Sequence, residues 1–226
     1  MIEIENVDVY GWQAAIRGMR NSWNSWNDSD SHFCVCAMPG KTSYAEIGQN
    51  DLTLTKKLAA DGSDERKFMR MITVTADVVA PLYWWKEYDT YKIGTVANSC
   101  STMHTIAKRN FELNDFSYEH LQPFHYCDGI YSYEINAEDW LCDIIHHLNL
   151  LMECYRKTKD KNYWWQIIQL LPSSYNQRRT VQLNYEVLLK IYRARKNHKL
   201  DEWRTFCSWI ETVSYTHLTL PTILLV

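Results

Sequence analysis

Residues 136–160, "NAEDWLCDIIHHLNLLMECYRKTKD", set apolar side chains at 140, 141, 144, 145, 148, 151, 152 and 155. That spacing follows the period of an α-helix and predicts a long amphipathic helix with one face to bury. Asn136 is the candidate N-cap, and Glu138 and Asp139 put negative charge in the first turn. A helix of this kind must lay its stripe on other elements, and the remaining sequence offers both types. "RMITVTADVVAPLYWW" from Arg70 alternates and is rich in β-branched residues, which predicts a strand. Pro81 ends that strand or opens a helix through "LYWWKEYDTYK". Residues 2–10 alternate like a strand, "GWQAAIRGMRNSW" from Gly11 reads as helix or turn, and "NSWNDSDSH" as loop. "DLTLTKKLAADG" has helical spacing and closes on Asp61-Gly62, a C-cap signal. "TVANSCSTMHTIAKR" is either helix or loop, "FSYEHLQP" and "DGIYSYEI" hold turn residues, and "NYWWQIIQLLP" continues helically to Pro172. Many helices and few strands predict an α+β fold, with helices packed on a small mixed or antiparallel sheet. At this length one domain is the first expectation and two the second.

Composition narrows the function classes. The chain is 46% hydrophobic and 23% charged, an ordinary globular balance rather than a disordered one. Its net charge is −3, so no global basic field draws in nucleic acid. Seven scattered cysteines are an odd number and fit reduced thiols in a cytoplasm better than a disulfide framework. No run approaches the roughly 20 apolar residues that span a bilayer. Ten Trp and fifteen Tyr are too many to hide entirely, and half-exposed aromatics often line pockets or interfaces. The last stretch, "VSYTHLTLPTILLV", breaks in character with the charged helix before it. Val213 to Thr222 read as translated sequencing-adapter sequence, so the native domain is expected over residues 1–212, with 213–226 a non-native tail; the alternative is a genuine β-rich tail.

Residues 170–196, "LLPSSYNQRRTVQLNYEVLLKIYRARK", read as helical by period, with polar groups interrupting the apolar stripe. Asn184 and Arg195 fall on or beside the face of Val187, Leu188, Ile191 and Ala194. On one helix they lie within about 20° of each other and roughly 16 Å apart, the reach of a nucleotide fragment. The plain structural account is a helix edge with Arg195 reaching water along its stem.

Leu171-Pro172, then Asn184, then Arg195 at these spacings resemble the C-terminal signature of the flavin-dependent thymidylate synthases. The family's Asn contacts the flavin and its helix-end Arg holds deoxyuridylate. Glu186 stands where the family has an Arg two residues after the Asn. Upstream, "APLYWWKEYDTYKIGTVANSCSTMH" follows the strand as the family's main motif does. Lys86-Glu87 takes the place of Arg-Gln, and Thr90-Tyr91-Lys92 that of Arg-His-Arg. Thr95, Ala97, Cys100, Thr102 and Met103 replace the motif's Ser, Asn, Ser, Arg and Tyr. The resemblance spans residues 66–204, with "AAIRGMRNSW" a faint N-terminal counterpart, and describes a divergent, phage-borne member.

The resemblance implies reductive methylation of dUMP to dTMP, with FAD, NADPH and methylenetetrahydrofolate, in a homotetramer whose sites draw on several subunits. It implies that Arg195 holds the substrate and stabilises charge on its ring, with Glu87, Ser99, Cys100, Ser101 and Arg178 as further substrate contacts. Thr90, Tyr91, Lys92 and Asn184 are implied at the flavin. The alternative is a non-catalytic descendant that keeps the fold and binds a nucleotide or nucleic acid.

Other constellations carry less. Cys34-Val-Cys36 has no second pair at ligand spacing, adjacent His146 and His147 point apart on a helix, and His125 and Cys127 offer at most two ligands. No metal is expected. Cys100 with His104 one turn on is a nucleophile-and-base candidate. Arg178, Arg179, Arg193, Arg195, Lys196 and Lys199 form a basic group, either a solvated face or a phosphate trap.

Overall fold

The computed structural model describes residues 2–34 and 44–216. The chain runs β1 (Glu3–Tyr10), α1 (Trp12–Arg20), β2 (His32–Cys34), β3 (Tyr44–Glu46), α2 (Gln49–Ala60), β4 (Thr73–Pro81) and α3 (Leu82–Tyr88). It continues through β5 (Thr95–Ser99), α4 (Thr102–Thr105), β6 (Pro123–Cys127), β7 (Ser132–Asn136), α5 (Ala137–Thr158) and α6 (Lys161–Leu170). It ends with β8 (Asn176–Asn184), α7 (Tyr185–Arg195) and α8 (Asp201–Thr212). Strands β1, β4, β8 and β5 hydrogen-bond in that order into a four-stranded sheet. Two antiparallel hairpins, β2 with β3 and β6 with β7, stand apart from it. The fold is α+β, as the periodicities predict. Two compact units are interleaved in sequence: Met1–Glu3, Val78–Thr90 and Asn98–Arg179 form one, and Ile4–Asp77, Tyr91–Ala97 and Thr180–Val226 the other.

The first unit is organised by α5. Asn136 caps it by accepting a hydrogen bond from the Glu138 backbone N–H at 3.2 Å, and Glu138 and Asp139 occupy its first turn. Leu141, Ile145, Leu148 and Met152 bury its stripe against Ile106, Phe111, Phe116 and Ile167 of α6. Trp140 and Ile144, at the stripe's flank, stay 54% and 41% exposed, because one packed layer covers only a narrow band of a helix. Asn149 ties α5 to a loop: its Oδ1 accepts from the Phe111 N–H at 2.8 Å and its Nδ2 donates to the Phe111 carbonyl at 3.0 Å. Lys159 turns left-handed at φ 59° and ends the helix. Asp160 then caps α6 through the Asn162 N–H at 2.9 Å, so the predicted continuous helix is two rods with a sharp joint.

The second unit packs α1, α2, α7 and α8 with a 3-10 helix at Glu65–Met71. Trp12 meets Tyr185 edge-on at 5.5 Å, and the Tyr185 N–H donates to the Ile72 carbonyl at 3.1 Å. Arg20 and Asp51 are an ion pair inside this unit, Nε to Oδ1 at 2.7 Å, with side chains 5% and 0% exposed. The start of α2 is capped from outside the helix. Asp30 accepts from the Asn50 N–H at 2.9 Å and the Asp51 N–H at 3.2 Å, and those bonds hold its carboxyl below the usual range. Gly48 allows that approach, since a Cβ there would sit 2.2 Å from Asp30 Cγ.

Several sequence expectations change. Residues 176–184 are a strand, not the first half of a helix: "NQRRTVQLN" buries Gln177, Val181 and Leu183 in a partly alternating pattern. The helical period applies only from Tyr185. The helix-or-loop segment at 95–99 is strand β5, with the short α4 after it. The turn-rich segments around 117–136 contain the hairpin of β6 and β7, closed where Asp128 Oδ1 accepts from the N–H groups of Ile130 at 2.9 Å and Tyr131 at 2.7 Å. Asp61 is extended at the end of α2, so the Asp-Gly pair does not form a left-handed cap. Of the tail expected from Val213, residues 213–216 are described: Val213 and Thr216 are buried, and Tyr215 donates to the Ala45 carbonyl at 3.1 Å. Residues 217–226, and Cys36 of the Cys-Val-Cys pair, lie outside the described residues.

Candidate functional site

The Asn184–Arg195 rod is present, but its two ends are built differently. Strand β8 feeds directly into α7, and Asn184 is the helix N-cap, accepting from the Val187 N–H at 3.1 Å. Its polarity on the stripe therefore has a structural use: it satisfies a donor that the first turn leaves open. Gly94, at φ +78°, lies against the same amide, where a Cβ would come 2.9 Å from Asn184 Nδ2. Asn184→Ala is expected to cost about 1 kcal/mol of unfolding free energy, whereas Asn184→Asp keeps the cap; urea denaturation distinguishes them.

Arg195 is the last residue of α7, where a cation complements the helix dipole. It does not lie in open solvent. Its Nε donates to the Tyr91 hydroxyl at 3.0 Å, and its guanidinium sits 4.9 Å from the Trp203 ring centroid and 5.8 Å from that of Tyr91. Trp203 is fully buried at the start of α8 and meets Tyr91 edge-on at 6.0 Å. Lys92, next to Tyr91, is exposed. Ala194 is exposed too, so the apolar face of α7 is carried by Val187, Leu188 and Ile191. Burial pushes the Cys207 thiol up to about 12, with Glu211 adding and Arg195 opposing. The hydrogen bond that Tyr192 donates to Glu211 pushes its phenol up to about 12.

The first unit holds the other expected residues. Glu87 is half-buried on α3, and Thr90, just after it, is exposed and donates its hydroxyl to the Glu87 carbonyl at 2.7 Å. Ser99 ends β5, and Cys100 and Ser101 lead into α4. The Cys100 N–H donates to the Arg178 carbonyl at 2.9 Å, and Gln177 Nε2 donates to the Cys100 carbonyl at 3.0 Å and the Thr102 hydroxyl at 3.1 Å. The Ser99–Ser101 segment and Arg178 are thus neighbours through the backbone. The Cys100 thiol lies 3.8 Å from the Thr105 hydroxyl, while His104 is exposed on a four-residue helix that begins beyond Cys100. Arg179 is committed: it stacks 4.3 Å from the Trp85 centroid and bonds Asp89 at 2.8 Å and Gln177 at 2.9 Å. The basic group is therefore not one solvated face, since Arg179 and Arg195 are each packed on a Trp. Among the described residues no cluster of three His, Cys, Asp or Glu side chains is placed to hold a metal.

No protein-family model and no curated protein matches the chain. Solved structures do. Thymidylate synthase X of Helicobacter pylori, crystallised with FAD and dUMP, superposes with a TM-score of 0.66 over 97% of this chain and 97% of that one, at 15% identity. The UMP/dUMP methylase PolB of Streptomyces cacaoi, bound with 5-bromo-dUMP, superposes with a TM-score of 0.57 over 94% of this chain and 89% of that one, at 17% identity.

The chain has the fold of the flavin-dependent thymidylate synthases.

Within that ThyX-like fold the inverted charge at Glu186 is compensated locally: Arg66 Nη2 lies 3.3 Å from Glu186 Oε1. Arg66 and Glu186 are 120 positions apart, so nothing local in the sequence signals that they pair. Trp203 was visible in "NHKLDEW", yet nothing in the spacing shows α8 folding back beneath Arg195. Among the described residues no helix is long and apolar enough to cross a membrane.

Proposed function

We propose that the chain is a nucleotide-binding protein of the thymidylate synthase type, acting on dUMP with FAD as cofactor. The observation that carries this reading is Arg195, held at the end of α7 by Tyr91 and Trp203 within a fold shared with a dUMP-bound synthase. An arginine fixed in this way offers planar donors to a uracil carbonyl or a phosphate, and it stabilises charge that develops on the ring. Cys100 and Ser101 with Ser99 supply short donors suited to a phosphate, and Glu87 and Arg178 complete the proposed substrate set. A homotetramer that builds each site from more than one subunit, as the resemblance implies, frees these residues from having to meet within one chain.

The proposed cofactor residues are all polar: the Thr90 hydroxyl, whose proton is held by the Glu87 carbonyl, the Tyr91 hydroxyl, the exposed Lys92 ammonium and the Asn184 amide, whose Oδ1 serves as the helix cap. This set fits a diphosphate, with Lys92 as its one cation, and Lys92 and Asn184 Nδ2 are the groups to hold it. When bound, the flavin supplies hydride transfer, with NADPH as the proposed donor and methylenetetrahydrofolate as the one-carbon source. The protein's contribution is position and electrostatics. A second reading, nucleotide binding without flavin chemistry, is favoured by one feature: Thr90-Tyr91-Lys92 keeps a single charge where the family carries Arg-His-Arg.

Titration of the purified protein with FAD and then dUMP tests both. The enzyme reading expects a flavin absorbance band and dUMP binding. Binding of dUMP by protein that takes up no FAD selects the second reading, and binding of neither sinks both.

A further inference from the structure

We infer that Tyr91 and Trp203 are positioning residues that fix the plane of the Arg195 guanidinium, an inference that rests on the reading of Arg195 as the nucleotide-holding group. An arginine at the end of a helix would ordinarily sample many rotamers and lose that freedom on binding. Here three contacts restrict it. Tyr91 accepts the Nε proton at 3.0 Å, the Trp203 ring lies 4.9 Å from the guanidinium carbon, and the Tyr91 ring lies 5.8 Å from it.

The clamp is itself rigid. Trp203 is fully buried, meets Phe206 at 6.0 Å and His198 at 6.3 Å, and takes Tyr91 edge-on at 6.0 Å. The Thr95 hydroxyl also bonds the Tyr91 carbonyl, which fixes the backbone that carries the phenol. Because the Tyr91 bond uses Nε and the Trp203 ring lies beside the guanidinium carbon, the two contacts together set the plane in which the Nη1–Nη2 edge lies. Tyr91 thereby takes a different part from the family's charged residue at this position. It orients the substrate arginine from the side, in addition to the hydroxyl contact proposed at the cofactor.

Cys207, on which Arg195 acts, and His198, which meets Trp203, are titratable groups near the clamp, with Lys196 next in the chain. None of them replaces the aromatic clamp.

Two measurements test the inference. In a 15N spectrum of the arginine side chains, the Arg195 Nε–H signal, assigned by its loss in Arg195→Lys, is expected to be displaced by the Trp203 ring current. It should move to the position of the exposed arginines in Trp203→Leu. A signal already averaged with the exposed arginines in the parent protein overturns the clamp, and this readout needs no variant at Trp203 to fold. Calorimetry with dUMP is the second. Trp203→Leu is expected to weaken binding about tenfold. Tyr91→Phe should weaken it about threefold, and Trp203→Phe should restore most of the loss. In an Arg195→Ala background Trp203→Leu and Tyr91→Phe should add nothing, because they act through the missing group. Full additivity there overturns the inference. A displaced Arg195 signal with dUMP affinity untouched by Arg195→Ala instead refutes the nucleotide reading and leaves the clamp standing.

Discussion

Arg20→Ala is expected to lower the unfolding free energy by about 3–5 kcal/mol, a large part of the roughly 5–15 kcal/mol that holds a typical domain together. The reason is what the substitution leaves behind. Asp51 is 0% exposed, and its carboxylate is satisfied by Arg20 Nε at 2.7 Å, Ser29 at 2.7 Å and Ser31 at 2.6 Å. Arg20 also donates Nη1 to the Ser25 carbonyl at 3.1 Å, so its loss opens the loop that carries Ser29 and Ser31. The hydroxyls alone do not neutralise a buried charge. Urea unfolding checks this, and a cost under about 1 kcal/mol would mean that water reaches the pair. Replacing both partners, Arg20→Met with Asp51→Leu, should recover much of the loss, since the stranded charge is then gone.

The same pair sets a pH dependence. Burial works to raise the Asp51 pKa, but Ser31, Ser29 and Arg20 outweigh it and hold the carboxyl below its usual range. A depressed folded pKa contributes stability that is fully present above the unfolded value of about 3.9. That contribution is lost as pH falls through the folded value. Thermal melts of the parent protein should therefore drop steeply below about pH 4, and the drop should be shallower in the Arg20→Met/Asp51→Leu variant.

Arg195→Ala should weaken dUMP binding by about 10- to 100-fold, the range of a charge-assisted hydrogen bond or two. Arg195→Lys should recover only a minor share, because an ammonium cannot present two parallel donors or stack as a plane on Trp203. The fold should survive both changes: Arg195 is only half-buried and ends its helix. Calorimetric titration with dUMP, alongside a circular dichroism melt, separates affinity from folding. Unchanged affinity in Arg195→Ala would remove this residue from the site and with it the chief support for the proposed function.

How much of this was legible beforehand depends on the range of the interactions. Helix α5 was readable to its cap because Asn136, Glu138 and the stripe from Leu141 to Met152 interact within a few turns of one another. The strand at Thr73–Pro81 was readable because Val74, Ala76, Val78 and Ala80 alternate on one buried face. Strand β8 was misread because its short alternation is continuous with the apolar spacing of α7, and pairing with β4 and β5, not local period, makes it a strand. The hairpin of β6 and β7 escaped notice since its residues are almost all exposed, so no buried face patterns them.

By itself the sequence determined helix α5 with its Asn136 cap, the α+β class, and the placing of an asparagine and an arginine at the two ends of one rod. Those features arise from neighbours along the chain. Tertiary structure alone decided that Arg195 rests on Tyr91 and Trp203, that Arg66 answers Glu186, and that Arg20 is buried with Asp51. Tyr91 and Arg195 are 104 positions apart, and Arg66 and Glu186 120. Contacts over such distances depend on how the hydrophobic faces pack and bring strands and helices back together, which no local spacing encodes.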